Sequence, residues 1–105
     1  MGNRAVLCLK NSRSPEYDED AVGIYVHWNG GEESIKGFLK STKELMGDRV
    51  GDVDYTRARL IQTVGNFLGG NLSVGVNLCR YLDTEGDNGV YVIDCTTLKI
   101  TNHLE

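Results

Sequence analysis

The chain has 105 residues, 40% of them hydrophobic and 25% charged, with a net charge of −4 and a pI near 5.1. That length supports one domain with its own core, and a single proline against 13 glycines reads as firm elements joined by glycine turns rather than a disordered chain. No basic run is present to follow a phosphate backbone, so direct nucleic-acid binding is not expected, and no apolar stretch approaches the roughly 20 residues that cross a bilayer.

Met1-Gly2-Asn3-Arg4 leads directly into an apolar run without a cleavage site, as expected of a cytoplasmic protein. Arg4 to Lys10 is predicted as a first strand. Asn11 to Asp20 holds the only proline and the acidic run Glu16-Tyr17-Asp18-Glu19-Asp20, and reads as a loop long enough to be mobile. Ala21 to Trp28 is the best strand. Its alternation puts Val22, Ile24, Val26 and Trp28 on the core face and Gly23, Tyr25 and His27 on the other. The two strands should pair antiparallel.

Asn29-Gly30-Gly31 breaks that strand. Ile35, Phe38, Leu39, Thr42 and Met46 then recur at helical spacing, which predicts a helix from Glu33 to Met46 stopped by Gly47, with Asn29 and Glu32 as a capping box. A second helix runs from a cap at Asp54 to Leu68, with Leu60, Ile61, Val64, Phe67 and Leu68 as its apolar stripe and Gly69-Gly70 at its end. Between Glu32 and Gly70 six acids balance six bases, so the net charge comes from the flanks.

Leu72, Val74, Val76 and Leu78 alternate with Ser73, Gly75 and Asn77 as a strand that Gly75 weakens. Asp83 to Gly89 is a polar turn, Val90 to Cys95 a strong strand, and Leu98 with Ile100 a short final strand or tail. Leu104-Glu105 can be read as a cloning scar, which sets the domain at residues 1–103. The expected class is α+β. A mostly antiparallel sheet of four to five strands should carry two amphipathic helices packed on one face, in the order β-β-α-α-β-β.

Two groupings draw functional attention. If helices cover one sheet face, Tyr25 and His27 point outward on the other, and Tyr91 joins them because it alternates away from Val90 and Val92. Such a Tyr/His/Tyr surface suits a protein contact, with a homodimer as the simplest case. The turn Asn29-Gly30-Gly31 ahead of a helix could offer free N–H groups to a ligand, but Glu32 and Glu33 would repel phosphate there. The bland alternatives are ordinary β-formers on a half-exposed face and a simple chain reversal.

The remaining polar groups carry less. Cys8, Cys79 and Cys95 are odd in number, far apart in sequence and set in strand-like runs, which suits thiols packed in a reducing compartment better than catalysis. No cofactor and no metal site are expected, since ligand spacing is missing and Asp83-Thr84-Glu85-Gly86-Asp87 lacks most of a calcium loop. Asp94 sits inside a strong strand and needs a partner if buried. His103 lies near the tail.

Four segments carry a resemblance: Tyr25-Val26-His27-Trp28-Asn29-Gly30-Gly31, Ala58-Arg59-Leu60-Ile61-Gln62, Asn66 through Gly75, and Gly86-Asp87-Asn88-Gly89-Val90-Tyr91. With them the chain resembles a family of small uncharacterised bacterial and phage proteins, most distinctively in His-Trp-Asn-Gly-Gly. The resemblance implies a phage or prophage context and no activity, cofactor or catalytic residue. The leading expectation is a small cytoplasmic, non-enzymatic protein-interaction protein that binds a protein partner or itself, with no membrane association. Its alternatives are an enzyme or small-ligand binder at the His27–Gly31 turn, and an acidic inhibitor that mimics DNA.

Overall fold

A computed structural model describes residues 3–69, 73–84 and 86–105. Five strands and two helices follow in the order β1 (Ala5–Lys10), β2 (Val22–Val26), α1 (Glu32–Met46), α2 (Val53–Leu68), β3 (Val74–Leu78), β4 (Val90–Asp94) and β5 (Lys99–Leu104). Single 3-10 turns at Gly47–Arg49 and Cys79–Tyr81 end α1 and β3. The α+β class is as expected, and the last strand includes both Leu104 and His103, which is not a tail residue. The expected Gly70 helix end and Leu72 strand start lie outside the described residues, as does Glu85 of the acidic turn.

The sheet order is β3-β2-β1-β4-β5. β1 pairs antiparallel with β2, as expected, but parallel with β4, so the sheet expected to be mostly antiparallel is mixed, with one parallel ladder and three antiparallel ones. The parallel step is permitted by what lies between β1 and β4. A strand, two helices and another strand intervene, and a parallel pair requires a crossover of at least about a dozen residues, which this supplies.

Both helices pack on the face carrying Leu7, Leu9, Ile24, Val26, Tyr91 and Ile93, against Ile35, Phe38, Leu39, Leu60 and Val64. The α1 stripe is the expected one, with Ile35, Phe38, Leu39, Thr42 and Met46 all buried. Its cap differs. Gly31 is the N-cap without a side-chain bond, and Asn29 is a turn residue at φ 60. Glu32 instead pairs with Lys36 at 2.8 Å, the neighbour one turn on. α2 is capped by Asp52, whose carboxylate accepts from the Tyr55 N–H, rather than by Asp54. Phe67 remains 64% exposed, touching the core only edge-on through Phe38.

Every residue of β1 is buried, on the second face as well as the first. The segment 11–20 covers that second face and is tied down rather than free. The Asp18 carbonyl accepts from the Cys8 thiol at 3.6 Å and from the Ala21 N–H at 3.1 Å; that of Pro15 accepts from Asn102 Nδ2 at 3.0 Å. Lys10 Nζ donates to the Glu16 carbonyl.

Asp94 shows how one buried acid sets a connection. Its Oδ1 accepts from the Thr96 N–H at 2.9 Å and the Thr96 hydroxyl at 2.6 Å, and Oδ2 accepts from the Thr97 hydroxyl at 3.1 Å. These bonds shape the turn from β4 to β5, in which Leu98 takes φ 57. Burial pushes the Asp94 carboxyl upward, but the Thr96 and Thr97 donors outweigh it and hold the group below the usual carboxylate value. Asp94→Ala should cost roughly 1–3 kcal/mol at neutral pH, as expected for removing the buried acceptor of several part-buried donors. Because the folded value is the depressed one, this contribution exists while the carboxylate is ionised and fades as pH falls through it. Urea unfolding of both proteins across the acid range checks this; a gap that does not shrink in acid would contradict the assignment.

Candidate functional site

The expected Tyr25, His27 and Tyr91 surface does not assemble. Tyr91 pairs with Leu7 across the parallel ladder and so faces the helices, where it is buried. Its hydroxyl donates to the Gly30 carbonyl at 2.9 Å and its ring stacks on His103 at 4.0 Å. Burial, then the charges of Glu32 and Glu105, raise its phenol above the ordinary value. Sequence alternation inverted its direction because both faces of β4 are apolar: Val92 on the far face is as buried as Ile93 on the near one. Where both parities are hydrophobic, period two cannot tell them apart.

Tyr25 and His27 do share the second face, half-buried, with the Tyr25 hydroxyl and His27 Nδ1 joined by a hydrogen bond of 2.8 Å. Trp28 is the other correction. The strand ends at Val26, so the alternation that aimed Trp28 at the core no longer applies. The indole is 44% exposed and packs edge-on against His27 with centroids 4.9 Å apart.

Asn29, Gly30 and Gly31 form a closed structural corner rather than an open cradle. The Gly30 N–H donates to the Asn3 carbonyl at 2.8 Å, and its own carbonyl is taken by Tyr91. A Cβ on Gly30 would run into the Asn3 carbonyl and lie 2.9 Å from Ala5 Cβ, so glycine is required by the close approach of two backbones. At Gly31 the nearest atom would be Asn3 Nδ2 at 4.0 Å.

Tyr25 and His27 border an open strand edge. β3 is the outer strand beyond β2; Tyr25 stands opposite Gly75, and the His27 N–H donates to the Ser73 carbonyl at 2.8 Å. A side chain on Gly75 would begin 3.9 Å from Tyr25 Cβ, so the strand position beside Tyr25 is open. On the helix face the same strand exposes Val76 by 50% and Leu78 by 37%. Ser73 O and Cys79 N turn inward to β2, so by alternation Val74, Val76 and Leu78 direct their backbone groups outward. Among the described residues Val76 has no partner for that N–H and C=O. The Leu78 N–H is taken by its neighbour Asn77 at 2.8 Å.

Sequence reasoning missed Val76, Leu78 and Trp28 as surface groups. A signal was present: from Ser73 to Cys79 the chain has no charge and no proline, the devices that ordinarily blunt an outer strand. It also missed a cleft of about 460 Å³ between α1 and β5, floored by Leu39, Leu98 and Ile100 and rimmed by Lys36, Lys40, Lys43 and Lys99. The three helix lysines recur at helical spacing, but Lys99 joins them only through the fold.

Each acidic run has one arginine paired into it. Arg80 pairs with Glu19 and Asp20, while Arg4 pairs with Asp87 at 2.8 Å, at the other end of β1. Two clusters at opposite ends, each answered by its own arginine, weigh against a DNA-mimicking face. Among the described residues no three His, Cys, Asp or Glu side chains converge as a metal site requires, and no helix is long and apolar enough to cross a membrane.

Compared with protein-family models, with curated proteins and with solved structures, the chain matches none of them.

The two glycines of the corner separate cleanly by experiment. Gly30→Ala should destabilise by roughly 2–4 kcal/mol, because backbone atoms must shift to admit the methyl. Gly31→Ala should stay within about 0.5 kcal/mol. Equal effects in denaturant unfolding would show that the Asn3–Gly30 approach is not what fixes the corner.

Proposed function

We propose that this chain is a non-enzymatic protein-interaction module that docks by strand addition at β3, and that the occupant is a second copy of itself. The observation that carries the reading is the neutral β3 edge, unpaired at Val76 among the described residues, with the Val76 and Leu78 side chains exposed beside it. An antiparallel copy centred on Val76 would exchange two hydrogen bonds between the two Val76 residues. It would also set each Val74 against the other chain's Leu78, all three apolar side chains falling on one face. The edge bears no charge, so two chains of net charge −4 meet where repulsion is least. Tyr25, His27 and Trp28 line the opposite face of the same edge and add amphipathic contact area. A cytoplasmic setting suits three free thiols, and the phage or prophage context is the one that the family resemblance implies.

Sedimentation of the wild type against Val76→Lys tests this. A concentration-dependent dimer is expected for the wild type and a monomer for the variant, with unfolding free energy changed by less than about 0.5 kcal/mol because Val76 is half exposed. A wild type that stays monomeric at the highest workable concentration would sink self-pairing. A dimer that survives the lysine would move the interface elsewhere.

A second reading is favoured by the lysine-rimmed cleft, whose apolar floor and cationic rim suit an amphiphile with an anionic head better than the closed His27–Gly31 corner does. Lys40→Glu with Lys43→Glu should weaken displacement of a fluorescent long-chain fatty acid by roughly tenfold. An unchanged titration, or no binding by the wild type, would remove this reading.

A further inference from the structure

The sequence separates Cys8 from Cys79 widely, yet the fold puts them together. Cys8 lies opposite Gly23 in the β1–β2 ladder, on the face away from the helices. Cys79 follows β3 and turns back over the same position, its backbone N–H donating to the Ala21 carbonyl at 2.9 Å. A Cβ on Gly23 would stand 2.8 Å from Cys79 Sγ, so the thiol occupies the space that a side chain at residue 23 would need. Cys8, Ala21 and Cys79 form a small buried cluster of their own, with Val90 against it. Cys95 belongs to the main core instead.

We propose that Cys8 and Cys79 are a reactive dithiol, a modification site that peroxide closes to an intramolecular disulfide. The neighbouring Cys79 thiol draws Cys8 below the ordinary thiol value, against the opposing effect of burial, while Cys79 is pushed up. Cys95 is held up to about 12 by burial and is the inert comparison. Cys8 is therefore the nucleophile. Its thiolate attacks one oxygen of hydrogen peroxide, the O–O bond breaks, and hydroxide leaves and takes up a proton as water. The sulfenic acid so formed is attacked by the Cys79 sulfur; the S–S bond forms, the S–O bond breaks, and the Cys79 proton leaves with the hydroxide as a second water. Two thiols and one peroxide give one disulfide and two waters.

Access comes through the segment 11–20. An open hollow of about 570 Å³, lined by Lys10, Glu16, Tyr17, Asp18 and Glu19, borders the stretch whose Asp18 carbonyl covers the Cys8 thiol. The cover is held by hydrogen bonds at Pro15, Glu16, Asp18 and Glu19, and the reaction requires a local opening that breaks those around Asp18.

The test is mass mapping after hydrogen peroxide, unfolding and alkylation, at a dose that fully oxidises the thiols of the urea-unfolded chain. The folded protein should lose two hydrogens, retain one alkylation site at Cys95, and yield a reducible Cys8–Cys79 cross-linked peptide. Cys95→Ser should give the same cross-link and leave no site to alkylate. In Cys79→Ser, Cys8 should stop at the sulfenic acid and be trapped by dimedone; if that variant fails to fold, the Cys95→Ser map still decides. The proposal is overturned if Cys8 and Cys79 both remain alkylatable, if the cross-link involves Cys95, or if Cys8 passes to sulfinic or sulfonic acid with Cys79 untouched.

Discussion

Much of this molecule follows from the position of β1, which sits at the centre of a five-stranded sheet with no exposed residue on either face. Such a strand has to be covered twice. Leu7 and Leu9 are met by the two helices, while Cys8, on the other face with Ala21 and Cys79, needs a second cover. The segment 11–20 and the turn after β3 provide it, which is why a stretch rich in charge and carrying the proline is fastened by backbone bonds and does not hang free. The parallel pairing of β1 with β4 belongs to the same constraint. It places a second strand with two apolar faces beside the first, and parallel pairs are favoured where both faces are buried.

How far the sequence could be read follows this division. Where one face of an element meets the core and the other meets water, residue patterns spoke clearly. The α1 stripe from Ile35 to Met46 and the antiparallel β1–β2 pair needed nothing beyond periodicity. Where both faces are buried, the pattern lost its direction, and Tyr91 was aimed the wrong way for that reason. Trp28 failed differently, because alternation was carried two residues past the end of its strand. The mixed sheet was not legible at all. Strand order is decided by long-range pairing and crossover geometry, and neither leaves a local trace in composition.

The candidate site was half legible for the same reasons. Tyr25 and His27 were placed correctly on the second face, since β2 has one clear apolar side in Ile24 and Val26. What they border could not be foreseen, because an edge exists only once the strand order is known. The thiol pair was equally hidden. Cys8 and Cys79 meet through Gly23, and only the register of β1 on β2 and the return of the chain after β3 bring them together.

The two outer strands differ in a way that bears on the proposed strand addition. β5 carries an exposed Lys99 at its start and a register shift against β4 between Val92 and Ile93, both of which disfavour addition of another strand. β3 carries neither. Its pairing with β2 runs in unbroken register from Val74 to Leu78, its side chains are neutral, and Val76 and Leu78 are exposed. A straight, uncharged outer strand is an aggregation hazard unless something regularly covers it. The same chain blunts one edge and leaves the other open, and the proposed docking at β3 rests on that asymmetry.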